Sequence, residues 1–221
     1  MSRADRSRRT PRRTQPTPRR SLTPFVLVGV GAVVVIAAVA AVVMAGGLAP
    51  AGIAEPAARP VTITGESLPA YTDSAVDPAV GQQLPALAGV GLDGQPLEFG
   101  PGDGPMAIVV LAHWCSHCQA ELPGLVEMIA QGGVPEGVSV VGVSTAIDAV
   151  RPNYPPSAWF EREGWAQPTL IDDASSRALE ALGLNAFPGF VFVDAQGAVA
   201  LRLTGEVGTA RFGEILASLA Q

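Results

Sequence analysis

The stretch MAIVVLAHWCSHCQAELPGLVEMIAQ, residues 106–131, passes from an apolar run through a Cys-x-x-Cys into a helical pattern. Met106 to Ala112 is an unbroken apolar segment of strand length, the composition of a central strand buried on both faces. From Ser116 to Gln131, helix formers carry Leu122, Leu125, Val126 and Ile129 at three- and four-residue spacing, and Gly132-Gly133 closes the pattern. Pro123 falls inside it and predicts a kink. Cys115 and Cys118 are the chain's only cysteines, and His113 and His117 its only histidines, so one strand-to-helix junction holds all of its sulfur and imidazole nucleophiles.

Downstream, Val138 to Val143 reads as a second strand. A Pro- and aromatic-rich stretch to Pro168 holds one short helix. Thr169 to Asp172 is a short strand, and Ser175 to Leu184 a helix with Ser as its cap. Residues 190–195 (FVFVDA) and a strand ending near Leu203 flank Gln196-Gly197 as a hairpin, and an amphipathic helix follows from Thr209 to Leu219. Strand and helix alternating, then a hairpin and a terminal helix, predict an α/β fold with a mixed central sheet.

Upstream the composition changes twice. Residues 1–24 hold eight of the 14 arginines and one of the 20 acids, with almost nothing apolar, and predict a disordered cytoplasmic arm. Residues 25–45 carry no charge, and 21 residues at about 1.5 Å each span the roughly 30 Å hydrocarbon core. The arginines keep the N-terminal side in the cytoplasm, which puts everything after the span outside the cell membrane. The rival is a signal peptide cleaved near Ala49-Pro50-Ala51, whose apolar region would ordinarily be shorter. Residues 46–79, rich in Ala, Pro and Gly, read as a linker, and residues 80–221 as one domain. That outer portion has six arginines, no lysine and nineteen acids, which argues against nucleic acid as a partner.

Cysteine attacks as thiolate, and a helix N-terminus lowers its pKa through unpaired N–H groups and the positive end of the dipole. Cys115 takes that place as nucleophile. Cys118, one turn on, resolves the mixed disulfide. His117 between them either lowers the thiolate pKa as imidazolium or donates a hydrogen bond to the Cys115 sulfur, and both make the disulfide more oxidising. His113 has no evident task beyond the strand end. Gln119 after Cys118 excludes a c-type haem motif, and a zinc site lacks a second ligand pair. A disulfide closing so small a loop contributes only about 2 kcal/mol as a staple.

HWCSHC followed by ELP, and later FPGFVFVDAQG, resembles the thioredoxin superfamily, and within it the membrane-anchored extracytoplasmic oxidoreductases related to TlpA and ResA, over residues 80–221. The resemblance implies a thioredoxin-like fold in which residues 80–99 contribute a leading Pro-containing segment and β-hairpin. It implies a cis Pro188 facing the disulfide, with Trp114 and Phe187 beside it in the substrate groove, and a Glu121 that handles protons. It implies no cofactor beyond the redox-active Cys115–Cys118 pair. The implied partners are thiol-containing proteins, such as apocytochrome c or secreted proteins, and a membrane redox partner.

His117 stands where such relatives commonly have Pro, Gly189 where Thr is common, and Val109 where cytoplasmic thioredoxin has a buried Asp. These departures bear on the direction of electron flow. A disulfide reductase of the TlpA/ResA kind is the first reading. The alternatives are a disulfide-forming oxidase and a non-catalytic metal- or haem-binding module. Peroxide reduction normally goes with Thr-x-x-Cys, and Ala112 occupies the Thr position.

Overall fold

The computed structural model describes residues 60–72 and 76–221. The elements are β1 (Thr62–Thr64), β2 (Ala86–Gly91), β3 (Pro96–Phe99), β4 (Met106–Leu111), α1 (Ser116–Ala130), β5 (Ser139–Ser144), α2 (Pro156–Glu163), β6 (Thr169–Ile171), α3 (Arg177–Ala181), β7 (Gly189–Val193), β8 (Val199–Thr204) and α4 (Thr209–Leu219). One mixed sheet runs β1-β2-β6-β5-β4-β7-β8, with β3 on β2 as the expected hairpin. β4, β5 and β6 are parallel, whereas β7 lies antiparallel to β4 and β8 to β7.

The apolar run of β4 is explained by period-two alternation with both faces covered. Met106, Ile108 and Val110 join one core, with Val191 and Val193 of β7. Ala107, Val109 and Leu111 join the other, with Phe190 and Phe192. Helices α1, α2 and α4 cover the second face through Leu122 and Leu125, Trp159 and Phe160, and Phe212 and Leu216. The three rings of Phe190, Phe192 and Phe212 meet at centroid distances of 5.6 to 6.3 Å, which fixes α4 over the β4–β7 seam.

The first face corrects the expected linker. Val61, Leu68 and Ala79 lie in its core beside Ala178 and Leu182, and β1 pairs with β2, so residues from about 60 onward belong to the folded domain. Ala- and Pro-rich composition suggested a tether, but the apolar residues are spaced to strap across a sheet. The strap is pinned by Arg202 of β8, whose side chain is fully buried. Its Nε and Nη2 donate to Asp77 Oδ2 and Oδ1 at 2.9 and 2.6 Å, and its Nη1 donates to the carbonyls of Pro69 and Leu182 at 2.9 and 2.8 Å. Gly183, at φ +65°, lies under Arg202 and the Pro69 carbonyl, where a Cβ would collide.

The expected helix at 175–184 is shorter, and Ser175 does not cap it. Ser176 is the N-cap, at φ 58° and without a side-chain bond. The cap is made by aspartates instead. Asp172 Oδ1 and Oδ2 accept from the N–H groups of Ala178 and Leu179 at 2.8 and 3.2 Å, and Asp173 Oδ1 accepts from Ser175 and Arg177. The expected cytoplasmic arm at 1–24, the expected span at 25–45 and the first part of the expected linker lie outside the described residues. Among the described residues no helix is long and apolar enough to cross a membrane.

Candidate active site at the start of α1

β4 ends at Leu111 and hands the chain through Ala112, His113 and Trp114 to Cys115, the N-cap of α1, at φ −75° and ψ 123°. No side chain caps this helix and its first turn carries no acid, so its leading N–H groups and positive dipole end face the sulfur region uncompensated. The two cysteines are unequal thiols. Cys115 sits just beneath the surface, and its Sγ–H donates to the Phe187 carbonyl at 3.5 Å. Cys118 is fully buried, with its Sγ accepting from the Ala112 N–H at 3.5 Å. Burial, first of all, pushes the Cys118 thiol up. The neighbouring Cys115 and the Glu121 charge push it further, and the Ala112 N–H opposes them.

The Phe187–Pro188 bond is cis, as the resemblance implies, and it stands across from the sulfurs. Trp114 meets the Phe187 ring edge-on at 5.4 Å, and its Nε1 donates to the Ala146 carbonyl at 2.7 Å. The Arg151 guanidinium lies 4.5 Å over the Trp114 ring. Gly205 N–H donates to the Pro188 carbonyl at 2.8 Å, tying the start of the β8–α4 loop to the same wall. The adjacent pairs Trp114–Cys115 and Phe187–Pro188, whose Cys115 and Phe187 are 72 residues apart, are therefore brought together.

Glu121 is buried, and its Oε1 accepts from the N–H groups of Val207 and Gly208 at 3.2 and 2.9 Å. One carboxylate thus holds the entry to α4 while sitting one turn beyond Cys118. His117 is 68% exposed, and its Nδ1 is engaged by Glu206 Oε1 at 2.7 Å rather than by the Cys115 sulfur. The hydrogen bond from His117 to sulfur, one of its two expected effects, is replaced by this pair.

His113 has a task that the sequence reading missed. It is fully buried, its Nδ1 lies 2.7 Å from the Pro152 carbonyl, and its Nε2 accepts from the Asp148 N–H at 3.2 Å. That pattern fixes the neutral Nδ1–H tautomer. Asn153 Nδ2 adds a bond to the His113 carbonyl at 3.1 Å. His113 thus clamps the loop that carries Ala146 and Arg151 against Trp114. The only sequence signal was its place between a buried strand and a motif, opposite a loop rich in proline. Among the described residues, no three His, Cys, Asp or Glu side chains gather as metal ligands.

A thioredoxin-type sheet with an unequal Cys-x-x-Cys pair at a helix start and a cis-proline wall beside it defines a thiol-disulfide oxidoreductase. The chain belongs to the AhpC/TSA family, whose model matches residues 80–202. No curated protein matches it significantly. Among solved structures, a thioredoxin-family thiol:disulfide interchange protein from Chlorobium tepidum TLS is 20% identical at TM-score 0.52, covering 71% of this chain and 99% of that chain. A thiol:disulfide interchange protein DsbE from Chlorobium tepidum is 18% identical at TM-score 0.53, covering 64% and 98%. A secreted Mycobacterium tuberculosis disulfide oxidoreductase homologous to E. coli DsbE is 22% identical at TM-score 0.50, covering 60% and 95%. These likenesses establish the fold.

Proposed function

We propose that the protein is a membrane-anchored extracytoplasmic reductase of protein disulfides, of the TlpA/ResA kind. The observation that carries this reading is the inequality of the two thiols, with Cys115 just under the surface at an uncapped helix end and Cys118 sealed behind it beside Glu121. In the reaction, the Cys115 thiolate attacks one sulfur of a partner disulfide. The partner S–S bond breaks, its leaving thiolate takes up a proton, and Cys115 is joined to the partner. Cys118 then loses its proton to Glu121 and attacks Cys115 Sγ. The Cys115–partner bond breaks, the second partner sulfur takes up the proton from Glu121 as it leaves, and the Cys115–Cys118 disulfide remains, two electrons having passed to the partner dithiol. A membrane redox partner reverses this to recharge the pair.

Glu121 supports the direction. Reduction of the pair creates negative charge near a buried carboxylate, which favours the disulfide and so makes the dithiol a better reductant. Pro188 and Phe187 shape the groove in which the partner lies, with Trp114 as its opposite flank. Thiol-containing secreted proteins, apocytochrome c among them, are the clients this reading assigns. The span at 25–45 with its arginine arm supports the anchoring, and the secreted DsbE homologue from Mycobacterium tuberculosis supports an outward-facing domain.

The second reading, a disulfide-forming oxidase, rests on the imidazole inside the motif, and the engagement of His117 by Glu206 counts against it. Cys118→Ser tests the proposal in the full chain expressed in its membrane. It should accumulate mixed disulfides with outer-facing proteins that Cys115→Ser lacks. Equal trapping by both variants, or by neither, overturns the assignment of roles.

A further inference from the structure

We infer that Glu206 is a positioning residue that draws His117 away from Cys115 and keeps the disulfide pair reducing. The inference rests on the Cys115–Cys118 pair being the redox centre, and it assigns a residue on a different element to the control of its equilibrium.

The loop between β8 and α4 is four residues, Gly205 to Gly208, and three of them are fastened through their backbone N–H groups. Gly205 N–H donates to the Pro188 carbonyl at 2.8 Å, and Val207 and Gly208 donate to Glu121 Oε1 at 3.2 and 2.9 Å. Glu206 is the remaining residue, and its side chain reaches outward to His117 Nδ1 at 2.7 Å. A carboxylate placed by fasteners on both sides is pre-ordered before it meets the imidazole, so little side-chain and loop freedom is lost on pairing. The fasteners end on Pro188 and Glu121, which lie beside the sulfurs. The loop therefore cannot shift without disturbing the site wall.

His117 lies in the first turn of α1, between the two cysteines. Glu206 takes up the His117 Nδ1–H, which would otherwise be free to turn toward the Cys115 thiolate. A released imidazole that donates to the thiolate stabilises it, hence the dithiol, hence a more oxidising disulfide. With Glu206 present, the motif holds a histidine whose Nδ1–H is already engaged.

The test is the equilibrium of the reduced pair with glutathione disulfide, in which two protein thiols become one disulfide and one glutathione disulfide becomes two glutathione thiols. It is measured on the full chain for the native protein, Glu206→Ala, His117→Ala and the double variant. Glu206→Ala should shift the equilibrium toward the protein dithiol about threefold to tenfold, equivalent to about 15 to 30 mV. In the His117→Ala background the same change should have at most a third of that effect, because only the direct charge of Glu206 is then removed. A Glu206→Gln variant, which can still accept the Nδ1–H, should fall between. Equal effects in the two backgrounds overturn the inference, since Glu206 would then act without His117, and so does no effect in either. If the native protein itself has no reversible transition, the redox reading fails and not merely the role of Glu206.

Discussion

Asp77→Ala should loosen the strap that residues 60–72 and 76–79 lay across the sheet. The change removes three hydrogen bonds, two from Arg202 at 2.9 and 2.6 Å and one from the Ala79 N–H at 3.1 Å, and leaves the Arg202 guanidinium buried with only the Pro69 and Leu182 carbonyls as acceptors. Breaking a buried ion pair from one side costs about 3 to 5 kcal/mol. The Asp77 side chain is 10% exposed and two carbonyls remain to Arg202, so the lower end applies, about 3 kcal/mol. For a domain of this size that corresponds to a fall in Tm of about 6 to 12 °C. Arg202 also holds the Asp77 carboxyl below its usual range, first by its hydrogen bonds. A depressed carboxylate pKa adds stability above the unfolded value of about 3.9, and that stability is lost as pH falls through the folded value. The gap between native and variant should therefore be full at pH 7 and narrow below about pH 4. Urea denaturation across this range measures both, and Asp77→Ala with Arg202→Met should recover part of the loss. A cost under about 1 kcal/mol at pH 7, the value of an exposed pair, refutes the buried lock and restores a loose tether.

Three further outcomes follow from the site. Iodoacetamide at pH 8 should label Cys115 of the reduced protein and leave Cys118 unmodified by mass spectrometry, because burial raises the Cys118 thiol and closes it to reagent. Glu121→Gln keeps an oxygen for the Val207 and Gly208 N–H groups but loses the proton acceptor. Resolution of a preformed mixed disulfide should slow roughly 10²-fold in stopped-flow measurements, with Tm little changed. His113→Ala strips partners from the Pro152 carbonyl and the Asp148 N–H and leaves a void beside the Tyr154 ring. It should cost about 2 to 4 kcal/mol in urea and alter Trp114 fluorescence.

The central strand, the helix after the motif and the terminal hairpin were legible because hydrophobic period alone dictates them, and α4 falls on Thr209–Leu219 as read. Cys115 and Cys118 were legible for a chemical reason, the strand-to-helix junction. What escaped depends on contacts distant in sequence. Arg202 carried no signal of its own within the hairpin strand, and Asp77, 125 residues earlier, accounts for its burial. Its partner lay in a segment whose composition resembles a tether. Glu121 rested on the resemblance alone, and its burial is explained by the Val207 and Gly208 N–H groups, 86 and 87 residues away, that it accepts from. His117 was expected to face sulfur because its neighbours in sequence are cysteines, and Glu206, which engages it instead, is 89 residues away. Ser175 looked like a cap, but Asp172 and Asp173, at the end of β6, reach the same N–H groups with two carboxylates.

The central claim is that Cys115 and Cys118 form a reducing pair. Its most direct test is their reduction potential, read from Trp114 fluorescence in dithiol redox buffers. A reducing pair shows one reversible two-electron transition near or below about −270 mV, the range of thioredoxin. A midpoint nearer about −120 mV would contradict it and make the protein a disulfide donor, and the absence of any reversible transition would remove the redox function altogether.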